Sequence, residues 1–292
     1  MSIIGRLAIL VAYLGWTLLL LPFQLISMLA VPVLARRIPI LYHRGCLALM
    51  GVHVDVRGVP ATARKGGTGG GSQKKQAEGP VLFVANHCGY LDIPVLGSLI
   101  SASFISKKEV ARWPLIGVLA RLARTIFVDR KNIRAVGGQR DILMQRLIKG
   151  DNLILFPEGT SSDGNRIMDF KTALFAVTER PFDGPPLRVQ PVTIAYTRLD
   201  GMPMGRRMRP YCAWYGDMPL LSHAWNLISV GSVTVVVAFH PPQTLDKPTS
   251  RKAVAHRCRT LIAHTLSETL SGRLPDFGGA GGSRDEDRPA VA

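Results

Sequence analysis

The chain has 292 residues, enough for one substantial domain plus a membrane segment but few for two independent domains. Lysine and arginine outnumber aspartate and glutamate by 36 to 20, and the formal net charge of +16 favours a polyanionic partner. Anionic membrane lipids fit better than nucleic acid, because the sequence carries no nucleic-acid-binding signature. The 4 cysteines are widely spaced and lack histidines at zinc-ligand spacing, so neither a disulfide framework nor a metal site is expected.

The N-terminal segment is predicted to lie in the membrane. Residues 7–35 carry no charge, and this length exceeds the roughly 20 residues that a membrane-crossing helix needs. Arg6 precedes the stretch and several arginines follow it, which places the downstream chain on the cytoplasmic side of the cell (inner) membrane. Pro22 and Pro32 leave open a kinked span or two helices that enter and leave one leaflet. A cleaved signal peptide is the alternative, although its apolar region would be shorter.

The chain after this anchor, which we assign to residues 1–37, predicts one folded domain at residues 38–274. Short β-rich runs alternate with helical or loop segments, a pattern typical of α/β proteins. Residues 132–149 have apolar side chains at helical spacing and are predicted to form an amphipathic helix that covers the sheet. The expected fold is therefore α/β: a single domain with a mixed β-sheet flanked by helices, preceded by a membrane-embedded helical segment.

Two segments have little to bury. Residues 60–79 are rich in glycine, lysine, serine and glutamine without a hydrophobic period, which predicts a flexible surface insertion between two strands. Residues 275–292 are mostly glycine and charged residues, which predicts a disordered tail. Neither segment is expected to contribute to the core.

A histidine and a carboxylate follow the first buried strand of the domain. The strand at 81–85 runs into Asn-His-Cys-Gly-Tyr-Leu-Asp, so His87 lies at the end of the strand and Asp92 lies beyond a turn. A neutral imidazole is a suitable base for a hydroxyl proton at neutral pH, and a carboxylate on its other nitrogen fixes the tautomer. Cys88 raises the alternative of a covalent thiol intermediate, but adjacent side chains in an extended chain point to opposite faces.

Four ordered motifs resemble those of a known family. They are Asn86-His87…Asp92, Phe127-Val128-Asp129-Arg130, Phe156-Pro157-Glu158-Gly159-Thr160 and Val189-Gln190-Pro191-Val192. In this order they resemble the motifs of the glycerolipid acyltransferase family, typified by 1-acylglycerol-3-phosphate acyltransferase. The similarity spans residues 81–192, and four matches in order are far more specific than any single motif.

The resemblance implies a reaction and a set of site residues. A fatty acyl group would pass from an acyl carrier protein or coenzyme A thioester to the free hydroxyl of a lysolipid, without a metal or redox cofactor. His87 would be the catalytic base and Asp92 its orienting partner. The residues implied in substrate binding are Arg130, Glu158, Gly159, Thr160, Lys107 and Pro191.

Structural alternatives stay open for three of these binding residues. Arg130 is also explained by an ion pair with a neighbouring carboxylate, since most arginines pair or solvate at the surface. Glu158 is equally explained by a structural role in which it accepts backbone N–H groups of its turn. Lys107 is equally explained as a solvated surface lysine.

One position departs from the family's pattern. Members with a phosphate acceptor usually carry arginine directly after Glu-Gly-Thr, whereas Ser161 follows here. A serine hydroxyl cannot replace the two parallel hydrogen bonds of a guanidinium, although Arg166 or Lys171 could compensate. The main hypothesis is 1-acylglycerol-3-phosphate as acceptor, giving phosphatidic acid. The alternatives are lyso-ornithine lipid, whose acylating bacterial subgroup the Glu-Gly-Thr-Ser-Ser-Asp-Gly sequence resembles, and a non-catalytic lipid-binding membrane protein.

Overall fold

The computed structural model describes residues 2–61, 79–129, 136–179 and 185–273. Three predictions therefore fall wholly or mostly outside the described residues: the tail at 275–292, the insertion at 60–79, and the role of Arg130.

The chain begins with a helical hairpin. Helix α1 (Ile3–Ala30) starts after Ser2, whose hydroxyl accepts the N–H of Gly5 at 3.2 Å. Helix α2 (Pro32–Leu49) starts with a proline at its first position, where no N–H is needed, so the chain turns at Val31. The predicted boundary after residue 37 thus falls inside α2.

The two helices pack antiparallel. The indole of Trp16 donates to the carbonyl of Tyr42 at 3.1 Å, and the amide of Gln24 donates to the carbonyl of Ala35 at 3.2 Å. Gly45 permits this approach, because a Cβ there would lie 2.3 Å from the Trp16 Nε1 atom. The chain therefore turns back within this hairpin.

The described residues form one mixed sheet. Its strands are β1 (Val52–Arg57), β2 (Val81–Ala85), β3 (Ser103–Lys107), β4 (Ile126–Val128), β5 (Leu153–Leu155), β6 (Leu187–Leu199), β7 (Met202–Pro203), β8 (Val233–Phe239) and β9 (Gln243–Leu245). The order is β1-β8-β6-β2-β5-β3-β4, with β7 and β9 also paired to β6. Strands β2 to β6 run parallel, β8 is antiparallel to β6, and β1 is parallel to β8.

Helices cover both faces of the sheet, as the α/β prediction requires. They are α3 (Asp92–Gly97), α4 (Ile116–Leu122), α5 (Val136–Ile148), α6 (Leu220–Leu227) and α7 (Arg251–Leu270). Strand β2 is buried on both faces: Phe83 packs in one core cluster with Leu96 of α3, and Leu82 packs in the other with Leu147 of α5 and Ile262 of α7. The predicted helix at 132–149 is confirmed over the residues of α5.

The parallel strands define two edges that matter for function. We call the edge where β2, β3, β4 and β5 end the carboxyl edge, and the edge where they begin the amino edge. His87 follows β2 and Glu158 follows β5, so both lie at the carboxyl edge. Sites of open α/β sheets lie beyond this edge, because loops after neighbouring parallel strands meet there.

Candidate active site

The Asp92 carboxylate is the buried centre of the site. Its Oδ2 atom accepts the backbone N–H groups of Cys88 at 2.6 Å and Gly89 at 3.0 Å. Its Oδ1 atom accepts the hydroxyl of Tyr196 at 2.7 Å. The side chain is 0% exposed, so these donors replace water as the partners that stabilise the charge.

His87 joins this carboxylate to the surface. Its Nδ1 atom lies 2.8 Å from Asp92 Oδ2, and its ring stacks on Phe156 with centroids 4.2 Å apart. The side chain is 23% exposed, whereas that of Asp92 is sealed. With the proton on Nδ1, the ring donates to Asp92 and leaves Nε2 as a proton acceptor. The structure thus brings the predicted base and its predicted partner together.

The Glu158 carboxylate fastens two loops of the site. One oxygen accepts the backbone N–H of His87 at 2.8 Å, and the other accepts that of Met168 at 2.8 Å. Burial raises the pKa of the Glu158 carboxyl to about 7, although both hydrogen bonds act to lower it. Glu158 therefore accepts backbone N–H groups from two other segments instead of from its own turn, and through one of them it positions the backbone of His87.

The turn after Glu158 carries a cation. Gly159 has a φ of +73°, a left-handed conformation that favours glycine, and a Cβ there would lie 2.8 Å from the Nζ atom of Lys171. The backbone N–H of Lys171 also donates to Pro157 at 2.8 Å. Thr160 follows on the exposed side of the turn. An ammonium group consequently lies beside the predicted acceptor-binding turn.

The remaining predicted binding residues lie at different depths. Lys107 ends β3 and is exposed at the carboxyl edge, beside Val128 of β4. Pro191 is buried within β6, between the residues paired with β9 and those paired with β8, where a missing N–H is tolerated. Its partner on β2 is Val84, so Pro191 lies below the end of the strand rather than beside His87.

Comparison with known proteins decides the family. A family model described as Acyltransferase matches residues 68–195. A lyso-ornithine lipid O-acyltransferase of Brucella abortus (strain 2308) is 38% identical over 266 residues, which cover 90% of this chain and 94% of that protein. The chain belongs to the acyltransferase family.

One further relative and one solved structure are similar to this acyltransferase. A 1-acyl-sn-glycerol-3-phosphate acyltransferase of Neisseria gonorrhoeae is 29% identical, covering 71% of this chain and 72% of that protein. The crystal structure of the 1-acyl-sn-glycerophosphate acyltransferase of Thermotoga maritima has a TM-score of 0.56 at 17% identity, covering 91% of this chain and 97% of that one. The latter shows that the fold is shared, which confirms the predicted fold class.

Cys88 is poorly placed to serve this acyltransferase as a nucleophile. Its side chain is 1% exposed, and burial raises the pKa of its thiol well above the usual value, with the charges of Asp92 and Glu158 adding to the effect. A thiol must ionise and reach the acyl carbonyl before it can attack. The geometry therefore favours direct transfer with His87 as base over an acyl-enzyme.

No sequence motif indicated the role of Tyr196, which contacts Asp92 from β6. Its partner lies 104 residues away in the chain, and it follows the fourth motif by several residues. The sequence motif included Asn86 without assigning it a role. Its side-chain amide accepts the backbone N–H of Ile194 at 2.8 Å and donates to the Ile194 carbonyl at 2.9 Å. Asn86 thus holds the end of β2 against β6, and Tyr196 holds the start of α3 against the same strand.

The loop after Glu-Gly-Thr, which begins at Ser161, holds a polar network. The Ser161 hydroxyl donates to the carbonyl of Trp214. The Asn165 side chain donates to Asp163 Oδ2 at 3.1 Å and accepts from Arg209 Nη1 at 2.7 Å. The Nε atom of Arg209 is buried and makes no hydrogen bond with the described residues. One carboxylate and one guanidinium are thus held on either side of a single amide.

Proposed function

We propose that this enzyme transfers a fatty acyl group from a thioester to the free hydroxyl of a lysolipid, with His87 as the base. The observation that carries the proposal is the 2.8 Å contact of His87 Nδ1 with the sealed Asp92 carboxylate. As the hydroxyl oxygen bonds to the acyl carbon, Nε2 takes its proton, and Asp92 stabilises the imidazolium. The carbon–sulfur bond then breaks, and His87 returns the proton to the thiolate. These steps use neither a metal nor a redox cofactor.

We propose lyso-ornithine lipid as the preferred acceptor. Ornithine carries both a carboxylate and an ammonium group, and the loop after Glu158 offers Arg209 for the former and Asp163 for the latter. The half-buried Arg209 guanidinium, which the Asn165 amide orients through Nη1, supplies the charge for a carboxylate. Gly164 links this network to the catalytic turn, because a Cβ there would lie 3.6 Å from Cys88 Sγ and 3.8 Å from Arg209 Cβ. The 38% identity to the Brucella enzyme supports the same acceptor.

The second candidate acceptor is 1-acylglycerol-3-phosphate. The Neisseria relative supports it, and Lys171 beside Gly159 supplies a cation for a phosphate. An ammonium group binds phosphate as a point charge and lacks the paired hydrogen bonds of a guanidinium. We therefore expect turnover of this acceptor to be slower than that of lyso-ornithine lipid.

We propose that the helical hairpin attaches the enzyme to one leaflet. Helix α1 touches the catalytic domain near both ends: the Arg6 guanidinium lies 5.6 Å from the Trp225 ring, and Gln24 donates to the Leu122 carbonyl at 2.7 Å. These contacts are separated by 18 residues of helix, which is about 27 Å and close to the hydrocarbon thickness of a bilayer. These two contacts support a helix that lies along the domain and enters one leaflet instead of crossing the bilayer.

The faces of α1 agree with this attachment. Its buried residues are the polar Thr17, Gln24 and Ser27, whereas large apolar side chains face outward, and Leu29 is 91% exposed. A continuous apolar surface of this kind is stable against lipid. We place the domain on the cytoplasmic side, where thioester donors are made and where the arginines after α1 would face anionic lipid headgroups.

One assay tests the acceptor and the donor together. The purified enzyme in neutral detergent is supplied with labelled acyl carrier protein thioester or acyl coenzyme A, and with either lysolipid. The proposal predicts acylation of both lysolipids, with a higher kcat/KM for lyso-ornithine lipid. Binding of lysolipids without any turnover would instead support a non-catalytic lipid-binding protein. A higher kcat/KM for the phosphate acceptor would reverse the preference.

A further inference from the structure

A cavity lies between α2 and the amino edge of the sheet, opposite the catalytic histidine. Its volume is about 160 Å³, and its wall includes Arg36 and Pro39 of α2, Arg124 after α4, and Asp151 before β5. Strand β5 begins here and ends at the carboxyl edge beside Glu158. The cavity is therefore separate from the acyl-transfer site.

Three guanidinium groups surround one carboxylate at this cavity. Asp151 is 5% exposed, and its oxygens lie 2.8 Å from Arg36 Nη2, 3.0 Å from Arg124 Nη2 and 2.6 Å from Arg146 Nε. Among the described residues, Asp151 is the acid that these three arginines share. One negative charge against three positive charges leaves the cluster with a net charge of +2, and two of its arginines, Arg36 and Arg124, line the cavity.

The arrangement is held in place from several directions. Arg146 also donates to the Ser103 hydroxyl at 2.8 Å. Arg124 has a φ of +60°, a left-handed conformation that is unfavourable for a residue with a Cβ and persists only where the surrounding structure holds it. Arg36 is anchored less firmly, since its side chain is 41% exposed, against 28% for Arg124 and 24% for Arg146. The cluster thus combines two fixed guanidiniums with one that is open to a ligand.

We propose that this cavity binds the phosphate group of an anionic membrane phospholipid. Guanidinium forks match phosphate oxygens in geometry and charge, and the cluster's excess of two positive charges favours an anion. Arg36 follows the turn of the hairpin by one helical turn, next to the exposed apolar residues Leu29, Val33 and Leu34. A lipid whose chains lie against these residues places its headgroup at the level of Arg36.

The position favours a lipid over an acidic carrier protein. The cavity is small and adjoins the apolar face of the hairpin, which suits a single headgroup. A donor docked at the amino edge would also have to deliver its thioester to the opposite edge of the sheet. Bound lipid would link α2, α4 and β5, so the site would fasten the membrane hairpin to the catalytic domain.

A titration of the full-length protein in neutral detergent tests the site. The probe is a short-chain phosphatidylglycerol below its micelle concentration, with short-chain phosphatidylcholine as the neutral reference and isothermal titration calorimetry as the readout. Arg36→Gln leaves Asp151 paired with two arginines, and Arg37→Gln is the matched control, since Arg37 is exposed, carries the same charge and does not line the cavity. We expect Arg36→Gln to weaken phosphatidylglycerol binding about tenfold and Arg37→Gln less than about twofold.

Three outcomes would overturn the proposal. Wild-type protein that does not distinguish phosphatidylglycerol from phosphatidylcholine has no such site. Equal effects of Arg36→Gln and Arg37→Gln would show only general charge attraction. A competition titration separates a lipid headgroup from free phosphate. If the lipid displaces bound inorganic phosphate, the result supports a headgroup site. If inorganic phosphate or acyl carrier protein binds at Arg36 and the lipid does not displace it, the result contradicts the proposal.

Discussion

The Tyr196 hydroxyl donates to Asp92 Oδ1 at 2.7 Å while Asp92 Oδ2 faces His87 Nδ1 at 2.8 Å. The tyrosine is fully buried, and burial followed by the negative charge of Asp92 raises the pKa of its hydroxyl well above the usual value. The phenol therefore keeps its proton and acts as a permanent donor. Tyr196 of β6 thus orients the Asp92 carboxylate, and the carboxylate in turn orients the His87 imidazole.

Replacement of Tyr196 by phenylalanine removes this donor and leaves the ring. We expect kcat to fall about tenfold or more with little change in KM, because the acceptor does not contact Tyr196. Steady-state kinetics with a saturating donor measure the two constants. Tyr211→Phe removes an exposed hydroxyl and is the control. A rise in KM at unchanged kcat would show that Tyr196 does not act through Asp92.

Cys88→Ala should keep acyl transfer within about threefold of wild type, because the buried thiol takes no part in direct transfer. The measurement is the initial rate, accompanied by mass spectrometry of enzyme quenched during turnover. Cys212→Ala removes another buried thiol and controls for packing. Detection of an acyl group on Cys88, or loss of turnover in Cys88→Ala alone, would establish the covalent route.

Glu158 should make stability depend on pH. Its pKa is about 7 in the folded protein against 4.5 as the ordinary value, so between these values the folded state binds a proton that the unfolded chain has released. This contribution to stability is complete below pH 4.5 and is lost as the pH rises through 7. The loss amounts to about 3 kcal/mol at most, since one pKa unit corresponds to about 1.4 kcal/mol.

Unfolding temperatures in detergent across this pH range measure the effect. Glu158→Gln does not titrate, so wild type should lose stability relative to this variant as the pH rises, whereas Glu109→Gln, at an exposed site, should follow wild type. Parallel pH profiles for wild type and Glu158→Gln would mean that the Glu158 carboxyl is ionised throughout.

Arg209→Gln and Asp163→Asn test the headgroup assignment. Each should raise KM for lyso-ornithine lipid about tenfold through loss of one charged contact, with a smaller effect on KM for 1-acylglycerol-3-phosphate. The exposed neighbour Arg207→Gln is the control for charge. If KM for both acceptors changes by the same factor, the two residues shape the loop without reading the headgroup.

Sequence motifs predicted the two central residues of the site but not the residue that holds them in position. The motif after β2 predicted His87 and Asp92 because a turn of five residues is a local feature, and the structure brings them into contact. The contact of Tyr196 depends on which strands are neighbours, and the pairing of β2 with β6 joins segments about a hundred residues apart. Local patterns do not encode such a pairing.

The course of the N-terminal hairpin also could not be predicted from local sequence patterns. Two prolines made the course of the N-terminal segment ambiguous, yet Pro22 lies inside a continuous α1 and the chain turns at Val31. The turn is stabilised by contacts with the domain, such as Gln24 with Leu122, that no hydropathy pattern contains. The Asp151 cluster was missed because its arginines come from three separate helices or helix ends.

The rate of acyl transfer by His87→Ala tests the central claim most directly. The variant is compared with wild type and with His53→Ala, which removes an exposed histidine on β1, after equal unfolding temperatures have shown that all three are folded. We expect His87→Ala to lose a factor of about 10² to 10⁴ in kcat while His53→Ala keeps the wild-type rate. Lysolipid acylation by His87→Ala at the wild-type rate would contradict the account.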